Sequence, residues 1–193
     1  MADKYKNFAE LAGAEAQGVD YRICCVDLQT PVVVLAPHGG WIEPGSSQIA
    51  KAIAQDDYSF YCFEGLDAGR PHSDLHVTSS HFDEPHAVKL VTTAETVVAV
   101  HGRLDRDDPK TVWMGGRDDA LRQSIVSSLE AFGFSAASEG HPLLGRQREN
   151  ICNRGRTGAG VQLELPRGLR DRLVRDRNEL LRFANAVRGA IRR

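Results

Sequence analysis

The feature that most constrains this chain is a set of short β-branched runs with no polar interruption. Val32-Val33-Val34-Leu35-Ala36-Pro37 and Thr96-Val97-Val98-Ala99-Val100 have no position left over for a solvent-facing side chain. A strand that is apolar on both faces must be covered on both sides, which a sheet sandwiched between helices provides. The intervening sequence supplies those helices. Alanine, glutamate and leucine over Phe8–Gln17 predict a short helix, and Ser46 caps a second running through Ala54. Further helices are expected from about Glu84, over Asp118–Phe132 and over about Asn178–Arg192, where Leu180, Leu181, Ala184, Val187 and Ile191 recur at helical spacing. Strands are expected at Tyr21–Leu28, Val32–Pro37, Tyr58–Glu64, Thr96–His101, Val112–Gly115 and Val161–Leu165, with an alternating segment at Leu75–Ser79. The pattern predicts an α/β domain over residues 1–193, an open sheet with helices on both faces.

Composition narrows the function classes. A hydrophobic share of 41% against 26% charged residues is that of a globular protein with a sizeable core. The longest apolar runs fall well short of the ~20 residues a membrane span needs, so no membrane partner is expected. Lysines near the N-terminus have no apolar run behind them, and the expectation is synthesis in the cytoplasm without a signal peptide. If the gene were carried by a phage, lysis would release the product. Cys24, Cys25, Cys62 and Cys152 include no C-x-x-C pair, so buried reduced thiols are expected rather than a disulfide framework. The net charge of −2 hides a C-terminal third crowded with arginine, which suits a solvated helix face or a groove for an anionic ligand; no nucleic-acid partner is expected.

Three apolar strands deliver ligand-type residues where they end. Val33-Val34-Leu35-Ala36-Pro37 runs into His38-Gly39-Gly40-Trp41-Ile42-Glu43, and Val97-Val98-Ala99-Val100 runs into His101-Gly102. Open α/β sheets bind ligands at the carboxyl ends of their strands. The glycines let the chain turn tightly enough to return Glu43 beside His38. Two histidines and one carboxylate are the protein ligands of a catalytic zinc that keeps a position open for water. Glu164, in Val161-Gln162-Leu163-Glu164-Leu165, is a carboxylate inside an otherwise core-like strand. It suits a general base, and the alternative is a solvated strand face. Glu64, at the end of another strand, rivals Glu43 as the carboxylate ligand.

The stretch His38-Gly39-Gly40-Trp41-Ile42-Glu43-Pro44-Gly45 resembles the signature of the phage-type poly-γ-glutamate hydrolases. Cys62-Phe63-Glu64-Gly65, Leu75-His76-Val77-Thr78-Ser79, His81-Phe82-Asp83-Glu84-Pro85, Val100-His101-Gly102, Asn150-Ile151-Cys152-Asn153-Arg154 and Gly160-Val161-Gln162-Leu163-Glu164 follow in the family's order. The resemblance implies a mixed α/β sheet similar to that of zinc carboxypeptidases. It also implies Zn2+ held by His38, Glu43 and His101, catalysis by Glu164, and cleavage of γ-glutamyl amide bonds in an anionic polymer. The spacing from His38 to Glu43 departs from the His-x-x-Glu of carboxypeptidases, which makes Glu43 the less secure ligand.

Arginines would stabilise the oxyanion and pair with substrate carboxylates. Arg148 and Arg154 are the candidates, with Asn150 and Asn153 as hydrogen-bonding neighbours and Arg117 as an outsider. His76 and His81 are expected to support the site rather than bind metal, and His72, His86 and His141 to lie on the surface. Two further functions compete: hydrolysis of a small N-acyl amino acid such as N-formylglutamate, and a zinc-containing binding module for anionic polymers without turnover.

Overall fold

The computed structural model describes residues 3–192. Its strands are β1 (Tyr21–Val26), β2 (Val32–Gly40), β3 (Ser59–Gly65), β4 (Thr96–Arg103), β5 (Val112–Gly116), β6 (Ala136–Ala137) and β7 (Val161–Pro166). They form one sheet in the order β1-β3-β2-β4-β7-β5-β6. β3, β2, β4 and β7 run parallel, β1 lies antiparallel at one edge, and β5 lies antiparallel beyond β7 with β6 parallel to it. The sheet is therefore mixed.

Alternation along the central strands divides the interior into two cores. Val34, Ala36, Val98, Val100, Val161, Leu163 and Leu165 face α2 (Ser46–Ala54), α4 (Asp119–Ala131), α5 (Arg167–Arg175) and α6 (Arg177–Ile191). Val33, Leu35, Val97 and Ala99 face α1 (Phe8–Ala14) and α3 (Pro85–Thr93). Burial on both faces is what the unbroken apolar runs require. The second face carries the polar residues of β7, Gln162 and Glu164, because their neighbours Val161, Leu163 and Leu165 occupy the first.

Several boundaries differ from expectation. β2 continues through His38 to Gly40, with an irregularity in its pairing to β3 between Ala36 and Gly39. Leu75–Ser79 is a loop following a 3-10 turn at His72–Asp74, not a strand. Its alternation is real but local: Leu75 and Val77 are buried in the second core, and His76 turns away towards His38. Among the cysteines, all free, Cys62 and Cys152 are buried as expected, whereas Cys24 is half-buried and Cys25 exposed on the edge strand. The arginine-rich C-terminus is not simply a solvated face. Arg188 is buried and donates to the carbonyls of Ile53 and Ala54 at the end of α2, where the helix dipole favours a cation. No helix among the described residues is long and apolar enough to cross a membrane.

Candidate metal centre and active site

The parallel strands β2, β4 and β7 bring their carboxyl ends together, and the polar residues gather there. His38 enters from β2 and His101 from β4, both almost fully buried. After Gly40 the chain turns sharply. Gly40 has a φ of 60°, and a β-carbon there would lie 2.3 Å from the Gly65 carbonyl oxygen, so the position admits little besides glycine. The turn is fastened by Trp41 N–H to Gly65 O and by Glu43 N–H to His38 O, both 3.0 Å, which folds Glu43 back against His38.

Three ligand-type side chains then converge. His38 Nδ1 stands 3.2 Å from His101 Nδ1 and 3.4 Å from Glu43 Oε1, and His101 Nδ1 stands 3.8 Å from Glu43 Oε2. Ligands about 2.0–2.1 Å from a tetrahedral zinc lie roughly 3.3 Å from one another, so the donor set fits such an ion with little adjustment. The protonation pattern fits as well. His38 Nε2 lies 2.8 Å from the Val77 carbonyl, which can only accept, so Nε2 carries the proton and Nδ1 of the neutral ring offers its lone pair.

The charges of this cluster are coupled. Burial opposes the charged form of Glu43, but His38, His72 and His101 hold its carboxyl well below the usual range. Burial also opposes charging of His38, yet Glu43 and the Val77 carbonyl outweigh it and raise its pKa. Burial, reinforced by His38 and His76, pushes His101 down to about 3 against the pull of Glu43. The cluster thus accommodates one extra positive charge between His38 and Glu43. A divalent cation would displace that proton, as metal sites built on imidazole do.

His76 also brings a donor atom within 4.8 Å of those of His38 and Glu43. Its Nδ1, however, lies 2.6 Å from Asp3 Oδ1, and its ring stacks on His38 with centroids 4.0 Å apart. Burial, with the neighbouring His38, pushes its pKa down to about 4. His72, exposed as expected, stacks on His76 and reaches within 3.8 Å of Glu43 Oε1 at the rim of this cluster. His141, expected on the surface, is instead buried, stacked on Trp113 with rings 6° from parallel. Glu64 is removed from the cluster: it pairs with Arg22 and lies near Cys24 and Cys62, on the α2 side of the sheet.

Glu164 sits on β7 directly beside His101 on β4 and beside Trp113 on β5. It is buried, so the solvated-face alternative is set aside. Burial, with repulsion from Glu43, raises its pKa well above the usual carboxylate value, and Arg103 and Arg170 oppose that only in part. Gln162, two residues back on the same strand face, donates to Glu164 Oε1 at 2.9 Å and accepts from Asn150 Nδ2 at 2.8 Å. Asn150 therefore reaches the site through Gln162.

The other residues expected near substrate divide. Arg148 is exposed. Arg154 donates to the carbonyls of Glu149, Phe82 and Ser80, so its guanidinium ties two loops together. Asn153 bonds the carbonyls of Gly145 and Gln147 and accepts from the backbone of Arg117 and Gly160. Gln162 was open to detection from strand alternation once Glu164 was singled out. Val77, Asp3 and Arg170 carry no such signal, since each reaches the site from a distant segment.

Known proteins match this architecture closely. The family model described as poly-gamma-glutamate hydrolase matches residues 5–185. Three curated proteins of Bacillus subtilis (strain 168) are similar to the chain. YndL is 39% identical over 173 residues, covering 89% of this chain and 67% of that protein. The SPbeta prophage-derived YoqZ is 40% identical over 166 residues, covering 85% and 59%. YmaC is 36% identical over 202 residues, covering 98% and 84%. The chain thus spans from about three-fifths to five-sixths of these relatives' lengths. Among solved structures, a bacteriophage poly-gamma-glutamate hydrolase superposes with a TM-score of 0.91 at 34% identity, covering 99% of this chain and 97% of that one. The apo, zinc-free form of YndL superposes with a TM-score of 0.85 at 33% identity, covering 98% of each. With its fold and nearly its whole length accounted for in this way, the chain belongs to the poly-gamma-glutamate hydrolase family.

Proposed function

We propose that this protein is a zinc-dependent amide hydrolase that cleaves γ-glutamyl bonds of poly-γ-glutamate, with His38, Glu43 and His101 as ligands and Glu164 as the general acid/base. One observation carries the reading. Donor atoms of His38, His101 and Glu43, 3.2–3.8 Å apart from one side chain to the next, converge beside the buried carboxylate of Glu164 on the strand next to His101. The zinc-free form described for YndL supports the choice of ion.

When bound, zinc acidifies a water molecule and polarises the scissile carbonyl. The chain's own residues do the rest. Val77 and Glu43 hold the tautomer and position of His38. Glu164 takes the proton of the attacking water and delivers it to the leaving amine, a role suited to a carboxylate whose proton affinity is raised by its surroundings. Gln162, itself held by Asn150, fixes the orientation of that carboxylate. Arg148, exposed and two residues before Asn150, is the residue assigned to pair with substrate carboxylates, while Arg154 and Asn153 support the loop from within.

The deciding experiment measures metal content and polymer length on one preparation of wild type, His38→Ala and Glu164→Gln. About one zinc per chain, lost in His38→Ala and kept without activity in Glu164→Gln, is the expected pattern. Zinc binding with intact polymer in every sample, but turnover of N-acyl amino acids, would move the substrate assignment. No zinc bound at all would end the reading.

A further inference from the structure

Three segments must hold their register for this site to exist: the turn carrying Glu43, the end of β4 carrying His101, and β7 carrying Glu164. One buried side chain touches all three. Arg170, on α5, donates from Nε to Leu165 O at 3.1 Å, from Nη2 to Arg103 O at 3.2 Å, and from Nη1 to Pro44 O. Leu165 follows Glu164, Pro44 follows Glu43, and Arg103 lies two residues beyond His101. We infer that Arg170 is the positioning residue that clamps the ligand-bearing and acid/base-bearing segments to one another.

The surroundings are built for it. The guanidinium lies against the α-carbon of Gly102, where a β-carbon would fall 2.4 Å from Arg170 Cζ. Gly102 also donates its N–H to Glu43 Oε2 at 2.7 Å, so the same residue admits the clamp and holds the carboxylate. A planar group with donors spread over three nitrogens can serve three carbonyls that lie apart, which the single nitrogen of lysine cannot. Arg170 is buried, and each carbonyl it serves would lose that donor if the side chain were removed. It touches neither substrate nor the reacting atoms in this reading. It acts through the backbone that carries them.

The zinc readout rests on the proposed metal ligands, so the test includes one that does not. In zinc-free protein, amide hydrogen exchange at Gly102 should quicken at least tenfold in Arg170→Met, because the Glu43–Gly102 bond loses its support. With zinc, chelator competition should show the ion bound about 10–100-fold more weakly, the usual effect of removing an outer partner, with kcat reduced more than KM. Arg170→Lys, which keeps the charge, should not restore either. Gly102→Ala reaches the same contact from the other side, and combined with Arg170→Met it should add little. Ile125→Ala, in α4, serves as a control of matched thermal destabilisation that leaves zinc affinity intact. Wild-type exchange at Gly102 in folded Arg170→Met, or full additivity of the two substitutions, would overturn the clamp. If exchange responds but wild type holds no zinc, the clamp stands and the metal reading falls.

Discussion

Glu164→Gln separates catalysis from stability in this fold. The substitution preserves shape, and the new carbonyl oxygen can still accept from Gln162 Nε2, which now donates to Glu164 Oε1 at 2.9 Å. What disappears is the capacity to take and return a proton. Transfer by a positioned side chain contributes roughly 10²–10⁴-fold in rate, so kcat should fall by that factor, about 2.7–5.4 kcal/mol of transition-state stabilisation. The fold should respond in the opposite direction. In the unfolded chain this glutamate titrates near its ordinary 4.5, and in the folded protein burial and Glu43 raise that value well above it. Between the two values the folded state holds the proton that the unfolded state has released. Stability therefore falls as pH rises through that window, and above the folded value the whole penalty applies. The amide carries no such penalty. In zinc-free protein the variant should melt at or above the wild-type temperature at alkaline pH, with the difference vanishing below about 4.5. The assays are polymer shortening at saturating substrate and melting curves across pH. A variant within about threefold of wild-type kcat, or one that melts lower than wild type at alkaline pH, would refute the reasoning.

Three further outcomes follow from the same geometry. Stripping zinc with a chelator should lower the melting temperature of wild type: an ion at 100 times its dissociation constant contributes about 2.7 kcal/mol, or roughly 5–11 °C at this chain length. His101→Ala should show no such shift. Glu15, which accepts from Tyr5, Lys4 and Arg70, is held down to about 2 against the opposing effect of burial, so its contribution is complete above 4.5 and lost as pH falls towards 2. Melting curves of Glu15→Gln and wild type should converge over that acid range. Arg154→Ala should lower the melting temperature with KM unchanged, because its donors serve backbone carbonyls, whereas exposed Arg148→Ala should raise KM for the polymer in a salt-dependent way.

The alternation of β7 shows how much of the site was open to sequence reading. Leu163 and Leu165 announce a buried face, and the intervening Glu164 must then sit on the other; what periodicity could not say is that this other face is buried too. His38 and His101 were detectable for a related reason. Each ends a run too apolar to be anything but interior, so a ring nitrogen placed there needs a partner. The register of β4 and β7, which puts His101 beside Glu164, was beyond reach because strand order depends on how the helices pack. Leu75–Ser79 shows the converse. A loop pinned into a core through Leu75 and Val77 carries the same period-two pattern as a strand, without a partner to pair with.

Arg170 and Glu43 show why the remainder resists such reading. Glu43 is five residues from His38, and two glycines advertise the turn that returns it, so its role is local and written in one segment. Arg170 works on carbonyls, which every residue possesses, and therefore leaves no complementary side chain for a pattern to reveal. Its guanidinium leaves a trace at Gly102, a missing β-carbon that reads from sequence as a turn and in three dimensions as room for that group. Groups that bind a metal must be chemically distinctive and are found by type. Groups that hold those ligands in place need only reach a backbone, so they are found by geometry, and a glycine beside a ligand is the position from which to begin looking.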